Sequence, residues 1–405
     1  MATQQIGLRQ YDTRSGRIIQ NIMPTLILLD KDLQEGNWVT FVSGAPTENT
    51  RQEQFKWGVD ALTVQSDTTS ASATSTATSV AVTNIARWVP GMTFINTRTG
   101  EICYVDAVNK ATGNLTVIRA ITALASAGGT AAAAMNSGDT LVRVAPVVGE
   151  DSRRQTAEHT VEAEISNYCQ QMRREVHLSR RQIKRSFDSQ ESELPYQMMK
   201  EMLEFRRFLN AAFLVGEKGR YTDSVMGDVT LTQGIRSAIT TYTYAVGGTL
   251  YQANFNDWLV KEALRKANRN KLMVCSATVI LAITEMYNDL AHFTAPITAG
   301  KSSMGVQVMS VVAPNGGRLT IVEDRYLSEN FDGEAYVVDM SHIKRKVFSN
   351  HGLNDDLHVI SDTGDNDDMG TNNTLYADTG LQYGAEEAHG KITGVTGGAK
   401  GKAVS

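Results

Sequence analysis

Residue types able to do chemistry occur in this chain at spacings that suit none of the common reactions. The stretch Ala295-Pro296-Ile297-Thr298-Ala299-Gly300-Lys301-Ser302 follows a relaxed phosphate-loop pattern, with Ala in place of the first Gly. A working phosphate loop joins a strand to a helix, so that backbone N–H groups and the helix N-terminus face the phosphates. Here a helix pattern comes first and Met304-Gly305-Val306 opens a strand pattern, so the stretch reads as a surface loop. Asp362, Asp365, Asp367 and Asp368 would crowd oxygen around calcium, but an EF-hand loop begun at Asp365 puts Met369 and Tyr376 at the fifth and twelfth positions, where oxygen donors are required. A solvated acidic loop is the better reading. His159 and His177 are too isolated for a metal pair, and neither an HExxH spacing nor a Gly-x-Ser-x-Gly elbow occurs. His342, His351 and His358 have no thiol or carboxylate arrangement that marks an acid, base or nucleophile, and read as structural. Cys103, Cys169 and Cys275 fit neither a disulfide framework nor a zinc site and point to a reducing compartment. No catalytic residue, cofactor or metal is expected.

One charged cluster remains. Arg173, Arg174, Arg180, Arg181, Lys184 and Arg185 form a basic ladder over residues 172–185, with Val176, Leu178 and Ile183 between them in the alternation of an extended strand. Three readings stand: a solvated charged strand, pairing with acidic residues of another subunit, and contact with packaged nucleic acid. Arginine holds carboxylates bidentately, which suits an interface that needs a fixed register. These six are the candidate intersubunit contacts.

The chain that must position them has 405 residues, enough for two or three packed units, and 41% hydrophobic content to fill them. A formal net charge of −5 argues against a dedicated nucleic-acid binder. No signal-peptide pattern opens the sequence and no run reaches the roughly 18 apolar residues of a membrane span. Residues 18–29 are apolar but broken by Pro24, and read as an arm. Residues 37–45 and 51–59 look like strands, carrying Trp38, Phe41, Phe55 and Trp57.

Only 8 of residues 61–140 are charged, against 25 of residues 150–220. The first stretch therefore reads as a surface module set into a larger domain. Its start, 67–79, is nearly all Ser, Thr and Ala and is expected to be a mobile loop or linker. Strand patterns follow at 92–96, 102–108, 115–119 and 140–144, separated by Gly-bearing turns, which predicts a small barrel or sandwich. The gap at 122–137 reads as a short helix or a loop.

The long helix is predicted over 194–215: Ser192 caps it, Pro195 lies in its first turn, and Met198, Met202, Phe205, Leu209 and Ala212 share a face before Gly216 stops it. Further on, Asn256 is expected to cap a helix to 268, residues 272–275 to form a strand, and Ser276 to cap a second helix with Ile280, Ile283, Tyr287 and Leu290 on one side. Residues 306–312 and 319–323 read as a hairpin around Pro314-Asn315-Gly316-Gly317, and 335–339 and 343–348 as strands before an acidic, Gly-rich tail from Asn354.

This order of elements resembles major capsid proteins of tailed phages with the Hong Kong 97-type fold, in the subgroup whose extended loop carries an added β domain. Phe55-Lys56-Trp57-Gly58-Val59-Asp60 is similar to that subgroup's aromatic-x-Trp-x-x-Asp stretch. Ser166-Asn167-Tyr168-Cys169-Gln170 is similar to its Ser-Asn-Tyr-x-Gln stretch, which leads into a Val-x-Leu/Val-Ser strand, here Val176-His177-Leu178-Ser179.

The resemblance implies an α+β chain: an N-terminal arm at 1–44 lying on a neighbouring subunit; an extended loop at 45–166 with an inserted β domain at about 61–146; a peripheral domain with a spine helix at 167–233; an axial domain at 234–330; and peripheral strands with the C-terminal segment at 331–405. It implies no enzymatic activity and no cofactor. The subunit would form pentamers and hexamers of an icosahedral or elongated head that encloses double-stranded DNA, assembled in the cytoplasm of the bacterial host and ending in the virion capsid. Portal protein, a separate scaffolding protein and decoration proteins are the implied partners, with no membrane and no assignable crosslinking residues. A tail or baseplate component is the nearest structural alternative, and a P-loop nucleotide hydrolase built on Lys301 the alternative from another class.

Overall fold

The computed structural model describes residues 38–125, 129–147, 160, 162–184, 193–225, 227–287, 309–350, 353–354, 356–361 and 370–401. The chain divides into two compact units, Gly58–Glu164 and the combination of Met1–Trp57 with Ile165–Ser405. The strands Gln54–Val59 and Ala163–Tyr168, through which the chain leaves the larger unit and returns, pair with each other.

The larger unit is built on two sheets. The first runs in the order Thr47–Thr50, Lys344–Asn350, Gly370–Gln382, Gln170–Ser179, with Leu353–Asn354 and His358–Ile360 alongside. Its longest pairing is antiparallel, from Gln170 opposite Thr379 to Ser179 opposite Gly370. The 23-residue helix Glu193–Val215 packs on it, burying Phe205, Leu209 and Phe213 at successive intervals of four, the spacing that keeps side chains on one helix face. The Gly216 N–H bonds to the Ala212 carbonyl at 3.1 Å, and a Cβ on Gly216 would lie 2.4 Å from that oxygen, so glycine is required where this helix stops.

The second sheet runs Thr243–Tyr251, Gly390–Ala399, Ala335–Val338, Lys271–Cys275, Arg318–Glu323, Met309–Val312. Lys271–Cys275 is buried at every position, as expected of a strand covered on both faces. The helix Ala277–Tyr287 buries Val279, Ala282, Ile283 and Met286. It runs so close to the strand Gly390–Ala399 that a Cβ on Gly398 would lie 2.0 Å from the Ala282 carbonyl oxygen.

Two expectations for this unit are corrected, and its tail holds strands that the sequence pattern did not mark. Residues 37–45 are not a strand, since Trp38–Gly44 is a helix. Trp38 and Val42, one turn apart, are both fully buried, and the first N–H groups are met by distant side chains: Trp38 N donates to Asp324 Oδ2 at 2.6 Å and Val39 N to Asn210 Oδ1 at 2.8 Å. These satisfy donors that a helix start leaves open and offset the poor helix propensity of its β-branched residues. The helix expected from Asn256 starts earlier, as Gln252–Trp258, and continues as a π-helical turn, Leu259–Ala263, with no side-chain cap. The acidic, Gly-rich tail contains the two long strands Gly370–Gln382 and Gly390–Ala399, one in each sheet. The first is buried on both faces and so lacks the two-residue alternation that marks a half-exposed strand.

The smaller unit is a six-stranded sheet, Ser66–Thr68, Thr140–Pro146, Met92–Asn96, Ile102–Asn109, Asn114–Ile118, Ser79–Ala81. Its two outermost strands meet through a Thr69–Val82 bridge, with Thr83 N donating to the Thr68 carbonyl at 2.9 Å and Ser70 N to the Ala81 carbonyl at 3.0 Å, so it closes into a barrel. Trp88, Phe94, Leu115, Met135 and Leu141 fill it. A short helix, Ile121–Ala125, opens the gap left undecided by sequence.

Residues 67–79 are not a free linker. Asp67 is buried and accepts from Trp88 Nε1 at 2.8 Å and Asn84 N at 3.1 Å, while Ala73 bridges Met135. Arg119 donates to the carbonyls of Thr74 at 2.9 Å and Ala77 at 3.3 Å. Side chains from elsewhere in the barrel order a stretch whose own side chains are too small and polar to make a core.

Candidate assembly interface

The basic ladder begins on the strand Gln170–Ser179, whose alternation sends Val176 and Leu178 into the core and Arg173, Glu175 and His177 outward. Arg174 points the other way, towards the long helix, where it donates to Glu201 Oε2 and Glu204 Oε2, both at 2.5 Å, and lies 5.4 Å over the Phe208 ring. Hydrogen bonding to Glu201 holds its guanidinium above its ordinary pKa, ahead of the opposing effect of burial. This charge is engaged inside the chain and fastens the sheet to the helix. Arg173 is 68% exposed and 3.3 Å from Glu175, an outward pair of low net worth in water.

The strand does not run on to residue 185 as its alternation predicts. At Ser179 a capping box closes, with Ser179 Oγ accepting from Gln182 N and Gln182 Oε1 accepting from Ser179 N, each at 3.3 Å. The chain turns into the helix Arg180–Ile183, followed by Lys184. Arg180, Arg181 and Lys184 are exposed there, with no acidic partner among the described residues; Arg185 lies outside them. The structure thus separates the six residues: Arg174 faces inward, Arg173 lies on the outer strand face, and Arg180, Arg181 and Lys184 cluster on the turn. At the other end of the strand, beside Arg173 and Arg174, a groove of about 580 Å³ runs between the strand and the long helix, lined by Met172, Phe205, Phe208, Val215 and Leu231. Phe208 is 55% exposed, an apolar ring at the surface.

The other candidates divide by where they fall. Residues 295–302 and Asp362, Asp365, Asp367 and Asp368 lie outside the described residues, as do His159, His351 and Ser192. The described elements flanking the phosphate-loop pattern are the helix Ala277–Tyr287 and then the strand Met309–Val312, the reverse of the order a phosphate cradle needs. His177 is exposed, and His358 lies against Tyr376, ring centres 5.6 Å apart. The three cysteines are free and buried, and burial pushes the thiols of Cys103 and Cys169 up to about 12 and that of Cys275 higher still, far from the lowered values of reactive thiols. No group of three or more potential ligands is placed to hold a metal ion among the described residues, and none of their helices is long and apolar enough to cross a membrane.

Sequence reasoning passed over His389 and Lys271, both buried and fully engaged. Lys271 Nζ donates to the carbonyls of Ala263 and Ala388 at 2.6 Å and of Lys266 at 3.1 Å. Burial draws this ammonium down to about 8. A lysine at the head of a strand carries no local signal of such an environment, because its acceptors come from other parts of the chain.

A family model described as SU10 major capsid protein matches residues 33–396. No curated protein matches the sequence. Among solved structures, the chain is similar to the capsid of an empty GTA particle (10% identity, 97% of this chain and 100% of the other, TM-score 0.46), to Mycobacterium phage Adephagia (11%, 98% and 100%, 0.46) and to the holo-SrpI encapsulin complex of Synechococcus elongatus PCC 7942 (9%, 99% and 100%, 0.43).

Proposed function

The chain belongs to the SU10 major capsid protein family, and from that premise we propose that copies of this phage major capsid protein join into pentamers and hexamers closing a head around double-stranded DNA. The observation that carries this is the span of the family match, from residue 33 to residue 396. Its role in the virion capsid is structural, with no reaction assigned to it. The net charge of −5 supports it, since a like-charged wall encloses DNA without adhering strongly to it. Assembly in the host cytoplasm, with portal, scaffolding and decoration proteins as partners, belongs to the same reading.

Within it, the barrel Gly58–Glu164 serves as the module inserted in the extended loop, and Glu193–Val215 as the spine helix. We assign intersubunit contact to Arg173, Arg180, Arg181 and Lys184, supported by their exposure on one turn and one strand face, and leave Arg174 to intrachain packing. Arg185 goes with the contact set by its place in the sequence. Electron microscopy of the expressed chain, alone and with its scaffold, tests the proposal: capsomers, shells or tubes are expected, and a strictly monomeric species under every assembly condition would overturn it.

A further inference from the structure

Two short segments carry the chain between the sheets of the larger unit. One is Asp339 with the 3-10 turn Met340–His342, linking the strand Ala335–Val338 to Lys344–Asn350; the other is 383–389, linking Gly370–Gln382 to Gly390–Ala399. They are cross-tied at His389, which is 1% exposed. Its Nδ1 accepts from Asp339 N at 3.2 Å, so the proton of the neutral ring sits on Nε2, 2.7 Å from the Tyr383 carbonyl oxygen to which it donates. Only this neutral tautomer satisfies both neighbours. A second proton, on Nδ1, would oppose a donor to the Asp339 N–H and leave two buried donors facing each other.

The surroundings also oppose a charge on the ring. The Lys271 ammonium enters from its strand and bonds to the Ala388 carbonyl, and His342 packs against Gly384, where a Cβ would lie 2.9 Å from the His342 Cβ. Gly384 has no side chain to block that approach, and its φ of +61° also favours glycine. On the other side the Asp339 carboxylate is the nearby negative charge, but it accepts from Asn268 N at 2.9 Å and from Ser341 N and Oγ at 3.0 and 2.7 Å. Of the remaining charges, Glu386 is bonded to Thr240 and Thr241, and Glu387 is paired with Lys266.

We propose that His389 is an acid-released lock: while neutral it fastens the two connections together and fixes one sheet against the other, and when protonated it frees them to shift. Burial depresses this imidazole to about 4 from its ordinary 6.5. A depressed folded value means that the open form binds the proton first. The closed form is therefore fully favoured above about 6.5 and loses ground as pH falls towards 4.

Hydrogen exchange of the full chain, read on peptides covering 335–345 and 380–392 and corrected for the intrinsic pH dependence of exchange, tests this. Between pH 6.5 and 4 the opening constant of both segments should rise together, on the order of a hundredfold. In His389→Gln, whose amide offers one acceptor and one donor without titrating, the rise should be absent; in His342→Gln it should persist. A wild-type protein with flat protection over this range overturns the lock whether or not the glutamine variant folds. So does an unchanged rise in His389→Gln or a lost one in His342→Gln.

Discussion

Glu101 and Arg119 are joined inside the barrel by two hydrogen bonds of 2.7 Å, one to each carboxylate oxygen, with Glu101 wholly buried. The carboxylate also accepts from Ala120 N at 3.1 Å and Ala133 N at 3.3 Å, so every acceptor direction is used. Arg119→Leu would strand that charge and release the Thr74 and Ala77 carbonyls together. Removing one partner of such a pair costs about 3–5 kcal/mol. Urea unfolding should show a loss of that size; a change below about 1 kcal/mol, the value of an exposed pair, would mean that water reaches Glu101.

Acid should weaken the same barrel. The Arg98 guanidinium, ahead of any opposing burial, holds Asp139 well below the usual carboxylate range. Burial alone would raise Glu101, but Arg119 and the Ala133 N–H outweigh it and its value is also lowered. Groups with depressed folded values give stability that is complete above their unfolded pKa, near 4, and is lost as pH falls through the folded value. The unfolding transition of the barrel itself, read on exchange peptides or probes within residues 66–146, should therefore be level between pH 7 and 5 and drop by pH 3, with a shallower drop in Arg98→Met. Equal drops in the two proteins would assign the acid sensitivity elsewhere.

The close approach at Gly398 makes another prediction. A Cβ 2.0 Å from the Ala282 carbonyl cannot be accommodated without pushing the helix Ala277–Tyr287 off its sheet. Gly398→Val should cost more than the 1–3 kcal/mol or so typical of overpacking, because the obstacle is backbone. Gly397→Val, one residue earlier with nothing near its Cβ position, is the control and should be mild. Similar melting temperatures for the two would contradict the packing described.

At the proposed interface, charge reversal should separate assembly from folding. Arg180→Glu with Arg181→Glu should leave the circular dichroism and melting temperature of the unassembled chain unchanged while abolishing or slowing particle formation. Arg174→Ala should do the reverse in the first respect, lowering stability by breaking its contacts with Glu201, Glu204 and Phe208. Normal particles from the double mutant would remove the turn from the interface.

Legibility in the sequence followed how local the determining contacts were. The long helix and the barrel strands could be read because their signals are adjacent: Phe205 and Leu209 one turn apart, and Gly100 and Gly113 at turns with positive φ. The helix Trp38–Gly44 could not, since its caps, Asn210 and Asp324, lie 171 and 286 residues away. The order of residues 67–79 depends on Trp88, Arg119 and Met135 rather than on their own composition. The basic ladder was visible as composition, but only geometry turned Arg174 inward, and Ser179 with Gln182 ended the strand through a four-residue signal that the longer alternation concealed. His389 drew no notice because a lone histidine acquires its meaning from the tautomer its neighbours impose.

The bridge from Thr69 to Val82 matters beyond the stability of the barrel. In the proposed shell, identical chains are crowded at spacings where any open row of backbone N–H and C=O groups meets its own duplicate. Open sheet margins under such crowding would zip together indiscriminately and freeze growing lattices in wrong arrangements. By joining the two outermost strands of its sheet, the bridge closes that row of backbone groups within the barrel itself, so in the proposed shell this seam offers side chains rather than an open sheet margin to a neighbour.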